Sequence, residues 1–266
     1  VNPQDFAASF NCAQLVTPLV LALGANSPLF FGQRLWQETR IALFKQAVDC
    51  RGEQPGPQCL PARVSFGQGW VRKDAYELFA ENVALFAPLI PICSNQSANP
   101  PLGKGAMPTL DELRLHLGCI WNWNRPIYDP AQGGHLRIEL RALPAGPTVV
   151  NMLANAALIT GLMEGLRPVI DRLLPSIPFR YAEYNFYRAA EFGLEAKLLW
   201  PEPAGGGLKE RRVTDILNQL LPLAAEGLNR INIADAESAS YLNVIKDGLE
   251  AQTNGACWQL NVFKKL

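Results

Sequence analysis

The stretch HLRIELRALPAGPTVV, residues 135–150, decides how this chain folds. Its side chains alternate: polar or charged residues stand at 135, 137, 139 and 141, and apolar residues stand at 136, 138, 140 and 142. A period of two is typical of a half-buried β-strand, because successive side chains point to opposite faces. The following ALPAGPT leads from this strand into an apolar helix, which we expect from about residue 148 to residue 166.

The charged face of this strand carries Arg137, Glu139 and Arg141, and two interpretations of it are open. In the first, these side chains face solvent and pair with one another, which contributes only about 0–1 kcal/mol for each pair. In the second, the face is the floor of a cleft, where Glu139 binds a metal ion and the arginines bind carboxylate or phosphate oxygens. Spacing alone favours the solvated face.

Two neighbouring motifs favour the cleft. IWNWNRP supplies Trp121, Trp123 and Arg125, an aromatic surface and a cation that can frame a small ligand. LPAGPT brings Thr148 to the start of a helix, whose unpaired N–H groups can receive an anion. Core packing of the tryptophans and simple helix-entry geometry remain open as alternatives.

Composition excludes several classes of partner. Lys and Arg together number 24 and so do Asp and Glu, and we therefore expect neither nucleic acid nor anionic lipid as a partner. The longest apolar stretches are interrupted by Pro, Asn, Gly or Gln, so we interpret them as buried helices and not as membrane spans. The chain has only two histidines, and its six cysteines form no C-x-x-C pattern, so we expect no common zinc site.

The six cysteines leave two interpretations open. Cys50 and Cys59 flank a Gly/Pro-rich loop and could close a loop disulfide. Scattered free thiols in a reducing cytosol are the favoured interpretation, and we accordingly predict a cytoplasmic protein.

Hydrophobic spacing predicts that helices dominate and that the few strands precede residue 145. A capping aspartate, Asp74, opens one predicted helix, and Thr109 with Glu112 forms a predicted capping box at the start of LDELRLHLG. A short strand is expected in VSFGQGW and extended chain in CIWNWNRPIYDP. The predicted helices, besides the one after residue 148, lie at 11–24, 35–48, 74–87, 180–198, 210–230 and 235–250.

Taken in order, four motifs resemble the type-2 glutamate–cysteine ligase (carboxylate–amine ligase) family. They are LALGANSPLFFG with a following TR, IWNWNRP, HLRIELRALPAGPTVVNMLANAA and the late TNGACWQ. The resemblance covers most of residues 11–166 and, more loosely, the tail. The chain resembles the C-terminal part of such a ligase, and we expect a missing N-terminal half to supply further metal-binding glutamates.

The resemblance implies ATP- and Mg²⁺-dependent amide bond formation. In this family the side-chain carboxylate of glutamate is phosphorylated, and an amine such as cysteine attacks the acyl phosphate, as in glutathione biosynthesis. Carried onto this chain, Glu139 matches a metal-binding glutamate, Arg141 the catalytic arginine that neutralises the transferring phosphoryl group, and Arg40 an arginine that holds the substrate amino acid. We further assign Arg125 and Trp123 to substrate binding, and Arg137 and Thr148 to binding of ATP.

Two departures from the family pattern leave the amine and the amino acid open. ALPAG occupies the place where many members carry an aspartate after the E-x-R arginine. The segment between Gly32 and Arg40 lacks the Gly and Ser that are common there.

The resemblance implies an α+β fold, in which an antiparallel sheet similar to the catalytic sheet of glutamine synthetase is backed by many helices. We predict a single domain over residues 1–266 with a mainly helical subregion at 175–266. One alternative function is a non-catalytic or regulatory remnant that binds an amino acid or nucleotide. A ligase that joins glutamate to a different amine is another, and formation of a homo-oligomer is left open.

Overall fold

The computed structural model describes residues 1–49, 51, 61–95, 107–202 and 207–265. Helices make up most of the described chain, as the hydrophobic spacing predicts. The predicted disulfide between Cys50 and Cys59 lies outside the described residues. The α-helices are α1 (Phe6–Gly24), α2 (Thr39–Ala47), α3 (Ala75–Leu85), α4 (Asp111–Gly118), α5 (Val149–Leu166), α6 (Ile170–Leu173), α7 (Phe179–Phe192), α8 (Val213–Arg230), α9 (Asp235–Glu250) and α10 (Gly255–Phe263).

The strands of the described chain form two-stranded pairs. Three pairs are antiparallel (β1 with β2, β5 with β6, β7 with β8), and β3 pairs in parallel with β4. Helices with small, mainly antiparallel sheets agree with the α+β expectation in outline, and the likeness to the glutamine synthetase sheet stays a prediction. The strands are β1 (Leu29–Phe30), β2 (Gln33–Arg34), β3 (Val64–Ser65), β4 (Trp121–Asn122), β5 (Asn124–Asp129), β6 (His135–Leu140), β7 (Lys197–Pro201) and β8 (Leu208–Arg212).

Two compact units make up the chain. The first unit comprises Val1–Phe10, Phe44–Gly67 and Val71–Arg141. The second unit comprises Asn11–Leu43, Gln68–Trp70 and Ala142–Leu266. Each unit is assembled from segments that are distant in the sequence, and the prediction of a single domain stays a prediction.

A small apolar core in the first unit explains the alternation of β6. Phe6, Phe10 and Leu78 are buried in this core, and Leu136 and Ile138 of β6 pack against it. Burial of this face drives the strand into place, because apolar side chains leave water while the charged face stays outward. The predicted period of two is therefore confirmed, with one face on the core and the charged residues opposite.

The second unit contains a close crossing of α5 and α8. Gly161 and Gly165 of α5 and Gly227 of α8 lie where the two backbones touch, and a Cβ atom at Gly227 would collide with the backbone at both α5 glycines. Helix axes can approach this closely only where side chains are absent at the contact. The crossing fixes α5, and with it the turn at Thr148 that precedes the helix.

Part of the helix prediction is wrong. Residues 180–198 were expected to be helical, but α7 ends at Phe192, Gly193 has a φ of +54°, and Lys197–Pro201 form β7. The start of the next predicted helix is also strand, because Leu208–Arg212 pair with β7 before α8 begins. Leu198 and Trp200 are buried from one face of β7, so the alternation there is that of a strand. Strands are consequently not confined to the chain before residue 145.

The capping box predicted at Thr109 and Glu112 is wrong as well. Helix α4 begins at Asp111, and its N-cap, Leu110, makes no side-chain cap. The Thr109 hydroxyl instead donates to the Asp111 carboxylate at 2.9 Å, and the Glu112 carboxylate accepts from the backbone N–H of Ser94 at 2.6 Å. By contrast, the predicted cap at Asp74 is confirmed, since its side chain accepts from the backbone N–H of Tyr76.

Two segments of the described chain are long and apolar enough, by length and composition alone, to cross a membrane: Pro3–Gly24 and Val149–Ser176. The apolar window of the first is 89% buried inside the protein, and that of the second is 44% buried. Helices in the core of a globular protein meet the same criterion. The location of the protein stays a prediction.

Candidate functional site

The hairpin of β5 and β6 brings Arg125 opposite Glu139. The register of this antiparallel pair runs from Asn124 opposite Leu140 to Asp129 opposite His135. Residues directly opposite one another on neighbouring strands leave the same face of the sheet. The arginine of the WNRP motif and the glutamate of the E-x-R motif are therefore neighbours, although 14 positions separate them in the sequence.

Glu139 lies between two arginines. Its Oε2 is 2.8 Å from Nε of Arg125 and 2.7 Å from Nε of Arg141. The guanidinium of Arg141 also lies over the Trp121 ring, with Cζ 4.0 Å from the ring centroid, and its side chain is only 8% exposed. We call Trp121, Arg125, Glu139 and Arg141 the Glu139 cluster. The E-x-R face is thus a built arrangement at this end and not a solvated row of charges.

The Glu139 cluster carries more positive than negative charge. Two guanidinium groups share one carboxylate, which leaves a net charge of +1 when all three are ionised. Burial lowers the pKa of Arg141, the charge of Arg125 lowers it further, and the bond to Glu139 acts in the opposite direction. An anionic oxygen placed here would relieve the repulsion between the two arginines, so the cluster favours an anion.

A magnesium ion does not fit the described residues by themselves. The Glu139 cluster has one carboxylate, both of whose arginine partners contact Oε2, and Mg²⁺ takes about six oxygen ligands. Within the part of the chain that the structure describes, no three or more His, Cys, Asp or Glu side chains gather into a metal-binding group. Glu139 can contribute one ligand, and the rest of a metal site requires other groups.

The structure buries Trp123, which we assigned to substrate binding. Its side chain is 0% exposed, and its ring lies 6.1 Å from that of Phe44. Trp123 is therefore packed in the core, which is the alternative that the sequence left open. Trp121 is the tryptophan of the motif that supports the arginine, although the sequence did not distinguish the two.

Arg137, which we assigned to ATP binding, stands at the solvated end of the same strand. Its side chain is 56% exposed and pairs with the carboxylate of Asp129 at 3.0 Å. The backbone N–H of Ala131, followed by the charges of His135 and Arg137, lowers the pKa of Asp129. The two interpretations of the charged strand are therefore divided between its ends: solvated pairs near His135, and a half-buried cluster at Glu139 and Arg141.

In the second unit, Arg40 is held by a buried carboxylate that the sequence reasoning missed. Glu38 is 0% exposed, and its Oε1 accepts from Nε of Arg40 at 2.9 Å. Oε2 of Glu38 accepts from the backbone N–H of Asn26 at 2.8 Å. Nη2 of Arg40 donates to the carbonyl of Ala142 at 2.6 Å, so the guanidinium is oriented from two directions.

Asn26 connects this network to two further motifs. Its side-chain Nδ2 donates to the carbonyl of Ala145 at 2.8 Å. Gln259, from TNGACWQ, donates to the backbone carbonyl of Asn26 at 2.7 Å and to its Oδ1 at 2.8 Å. We call Asn26, Glu38, Arg40 and Gln259 the Glu38 network. Together with the Ala145 carbonyl, it connects the motifs ANSP, ETR, LPAG and TNGACWQ within one unit, although they are distant in the sequence.

Thr148, which we assigned to ATP binding, is the N-cap of α5. Its hydroxyl accepts from the backbone N–H of Asn151 at 3.2 Å and donates to Oδ1 of Asn151 at 2.7 Å. A helix cap therefore accounts for this residue, and anion binding by it stays a prediction.

Residues 2–66 match the sequence model of a family described as glutamate-cysteine ligase family 2. A Frankia alni protein named "Putative glutamate--cysteine ligase 2-1" is 25% identical over 249 residues, which are 93% of this chain and 53% of that protein.

Two further relatives carry the same name. An Arthrobacter protein is 25% identical over 222 residues, 83% of this chain and 47% of its own length. A Frankia casuarinae protein is 30% identical over 115 residues, 42% of this chain and 28% of its own length. The chain thus spans about half the length of the first two relatives that it matches.

Proposed function

Because this chain is a relative of the type-2 glutamate–cysteine ligase family, we propose that the protein joins the side-chain carboxylate of glutamate to an amine, with ATP as the phosphoryl donor. The observation that carries this proposal is the Glu139 cluster, in which two arginines share one carboxylate. The names of the relatives support a ligase, and they make cysteine the first amine to test.

The chemistry requires charge stabilisation above all. When a phosphoryl group passes from ATP to a carboxylate, negative charge spreads over its oxygens, and the protein assists chiefly by placing cations against them. Arg141 suits this role because Trp121 and Glu139 fix the plane of its guanidinium before substrate arrives. Arg125, on the opposite strand, adds a second cation beside the same carboxylate.

We assign Arg40 to the substrate amino acid. A guanidinium presents a planar fork that matches a carboxylate, and the Arg40 side chain is 37% exposed. Glu38 and the Ala142 carbonyl hold the fork in one orientation, which lowers the entropy that substrate binding must overcome. In this proposal Glu38 is a positioning residue that acts through Arg40.

Magnesium, when bound, would neutralise phosphate charge, with Glu139 as one of its oxygen ligands. The described residues do not complete its coordination. Since the relatives are about twice as long as the matched region, we propose that the remaining ligands belong to a part of the protein outside this chain.

The experiment is ADP release by the full-length protein with ATP, Mg²⁺, glutamate and a panel of amines that includes cysteine. We expect Arg141→Ala to lose about 100-fold or more in turnover, on the order of 3 kcal/mol of transition-state stabilisation. Arg114→Ala is the control, and it should retain turnover within about twofold, since its ion pair with Asp111 at 3.5 Å is exposed. Unchanged turnover in Arg141→Ala would contradict the role given to this residue.

A second candidate function is binding of an amino acid or nucleotide without turnover. It is favoured by one observation, that within the described chain the acidic groups do not gather into a metal site. Binding of glutamate or ATP by the full-length protein, without ADP release in the presence of any amine, would select this candidate.

A further inference from the structure

The second unit contains a polar cleft that none of the roles above uses. It holds about 50 Å³ of accessible space between the start of α5, the end of α9, the end of α1 and the turn before α10. Its polar lining comes from Asn151, Asn155, Thr253 and Asn254, and its apolar lining includes Leu23 and Val244. All of these residues belong to the same compact unit.

Asn155 is the first indication that the cleft receives a ligand. The residue is only 5% exposed, yet its side-chain amide makes no hydrogen bond to any residue that the structure describes. Its amide nitrogen and oxygen are not among the fully enclosed, unpaired polar atoms of the described chain, so they reach open space and are available for a hydrogen bond. Since Asn155 lines the cleft, a group bound there can satisfy it.

Helix geometry gives the cleft a positive electrostatic character. Helix α10 starts at Gly255, and the Gly255 backbone N–H donates to no oxygen of the described chain. Asn151, in the first turn of α5, also lines the cleft. The N-termini of two helices, of 18 and nine residues, therefore border one space, and each carries about half a positive charge.

The lining distinguishes an anion from a cation. No Asp, Glu, Lys, Arg or His belongs to the described lining. A cation would need carboxylates, whereas an oxyanion needs N–H and O–H donors, which Asn155, Thr253 and Gly255 present. We propose that this cleft binds a small oxyanion, a carboxylate or phosphate group, through Asn155 and the first turn of α10. The proposal rests on these contacts alone and not on the ligase function.

A glycine in the cleft provides a variant that keeps the fold. Gly248 lies in α9 and lines the cleft, and a Cβ atom there would meet only the Thr253 carbonyl, at 3.4 Å. Alanine favours a helix over glycine by about 1 kcal/mol, so Gly248→Ala narrows the cleft without loss of stability. Asn155→Asp is the electrostatic counterpart, because it places a negative charge where the anion would bind.

The test is a titration of the ¹⁵N-labelled full chain with acetate and, separately, with inorganic phosphate, followed at the Gly255 amide resonance. We expect one or both anions to shift this resonance, and which anion does so identifies the preferred chemistry. Gly248→Ala and Asn155→Asp should weaken that binding by about tenfold or more, equivalent to about 1.4 kcal/mol.

Two matched controls accompany these variants. Gly118→Ala, at a helical glycine with open space around it, and Asn243→Asp, at an exposed position of α9, should bind as the unmodified chain does. No shift at Gly255 with either anion would overturn the proposal. So would unchanged affinity in both cleft variants, since the anion would then be bound elsewhere, for instance at the Glu139 cluster.

Discussion

Glu38 and Arg40 form an ion pair of 2.9 Å in which the carboxylate side chain is 1% exposed and the guanidinium side chain is 37% exposed. The carboxylate is therefore inside the protein while its arginine reaches the surface. A charge so deeply buried is tolerated only when it is fully paired. The arginine and the backbone N–H of Asn26 provide this pairing, so Glu38 is a structural requirement for Arg40 as well as for the turn at Asn26.

We expect Glu38→Ala to lower the free energy of unfolding by about 3 kcal/mol, because it leaves Arg40 and the Asn26 N–H without their buried acceptor. Urea unfolding of the two proteins measures the difference. Glu250→Ala is the control: Glu250 is 65% exposed and 3.8 Å from Lys246, so its removal should change stability by less than about 0.5 kcal/mol. Equal losses in the two variants would show that Glu38 is not held as described.

The limits of the sequence-based prediction follow from the range of the interactions. The β6 strand was predictable because alternation is local, and Leu136 and Ile138 occupy the core as the period requires. The pairing of β7 with β8 was not predicted, since five residues of KLLWP are too few to distinguish a strand from the end of a helix without their partner LKERR. Residues 197–201 are therefore a strand because they pair with β8, and not because of their local propensity.

The same reasoning applies to the candidate site. The sequence predicted extended chain around Arg125 and a strand at Glu139, but the pairing that places the two side chains together comes from the structure. The Glu38 network could not be predicted either, because Glu38, Ala145 and Gln259 come from three segments that no local pattern connects. The predicted capping box at Glu112 is wrong for a related reason: the backbone N–H of Ser94, 18 residues earlier, donates to the Glu112 carboxylate.

The crossing of α5 and α8 gives a sharp stability prediction. Gly227→Ala should lower the free energy of unfolding by about 2 kcal/mol or more, although alanine is the better helix former, because the new Cβ atom would collide with the α5 backbone. Thermal or urea unfolding measures it. Gly118→Ala, where nothing lies within 4 Å of the new atom, should be neutral or slightly stabilising. A stabilising Gly227→Ala would contradict the close crossing.

The buried thiol of Cys12 makes the free energy of unfolding depend on pH in the alkaline range. Burial, together with Glu164 and Asp171, raises the pKa of this thiol from 9.0 to about 12, against the opposing effect of Arg167. The native state therefore keeps a proton that the unfolded chain releases above pH 9, so stability falls as the pH rises from about 9 towards 12. The measurement compares unfolding free energies at rising pH in the unmodified chain and in Cys12→Ala.

Comparison with Cys12→Ala isolates the contribution of the thiol to the pH dependence, because the lysines and tyrosines are the same in both proteins. We expect a steeper alkaline loss in the unmodified chain than in Cys12→Ala. Parallel curves would mean that the thiol is not protected by burial. The native thiol should also react with iodoacetamide far more slowly than the exposed Cys93.

The two ends of the β6 face predict different responses to the same substitution. Arg141 is 8% exposed, contacts the Trp121 ring and shares Glu139 with Arg125, so Arg141→Ala should lower the free energy of unfolding by about 2 kcal/mol. Arg137 is 56% exposed, and its ion pair with Asp129 at 3.0 Å is open to solvent, so Arg137→Ala should change the free energy of unfolding by less than about 1 kcal/mol.

Urea unfolding of both variants, in low and in high salt, separates the two environments. Added salt should weaken the contribution of Arg137, whose charge is exposed, and leave that of Arg141 nearly unchanged, because burial shields it from screening. Equal small losses that disappear in salt would mean that the whole strand face is solvated. The stability of Arg141→Ala also sets the temperature at which its ADP release is compared, so that a loss of turnover reports on the chemistry and not on unfolding.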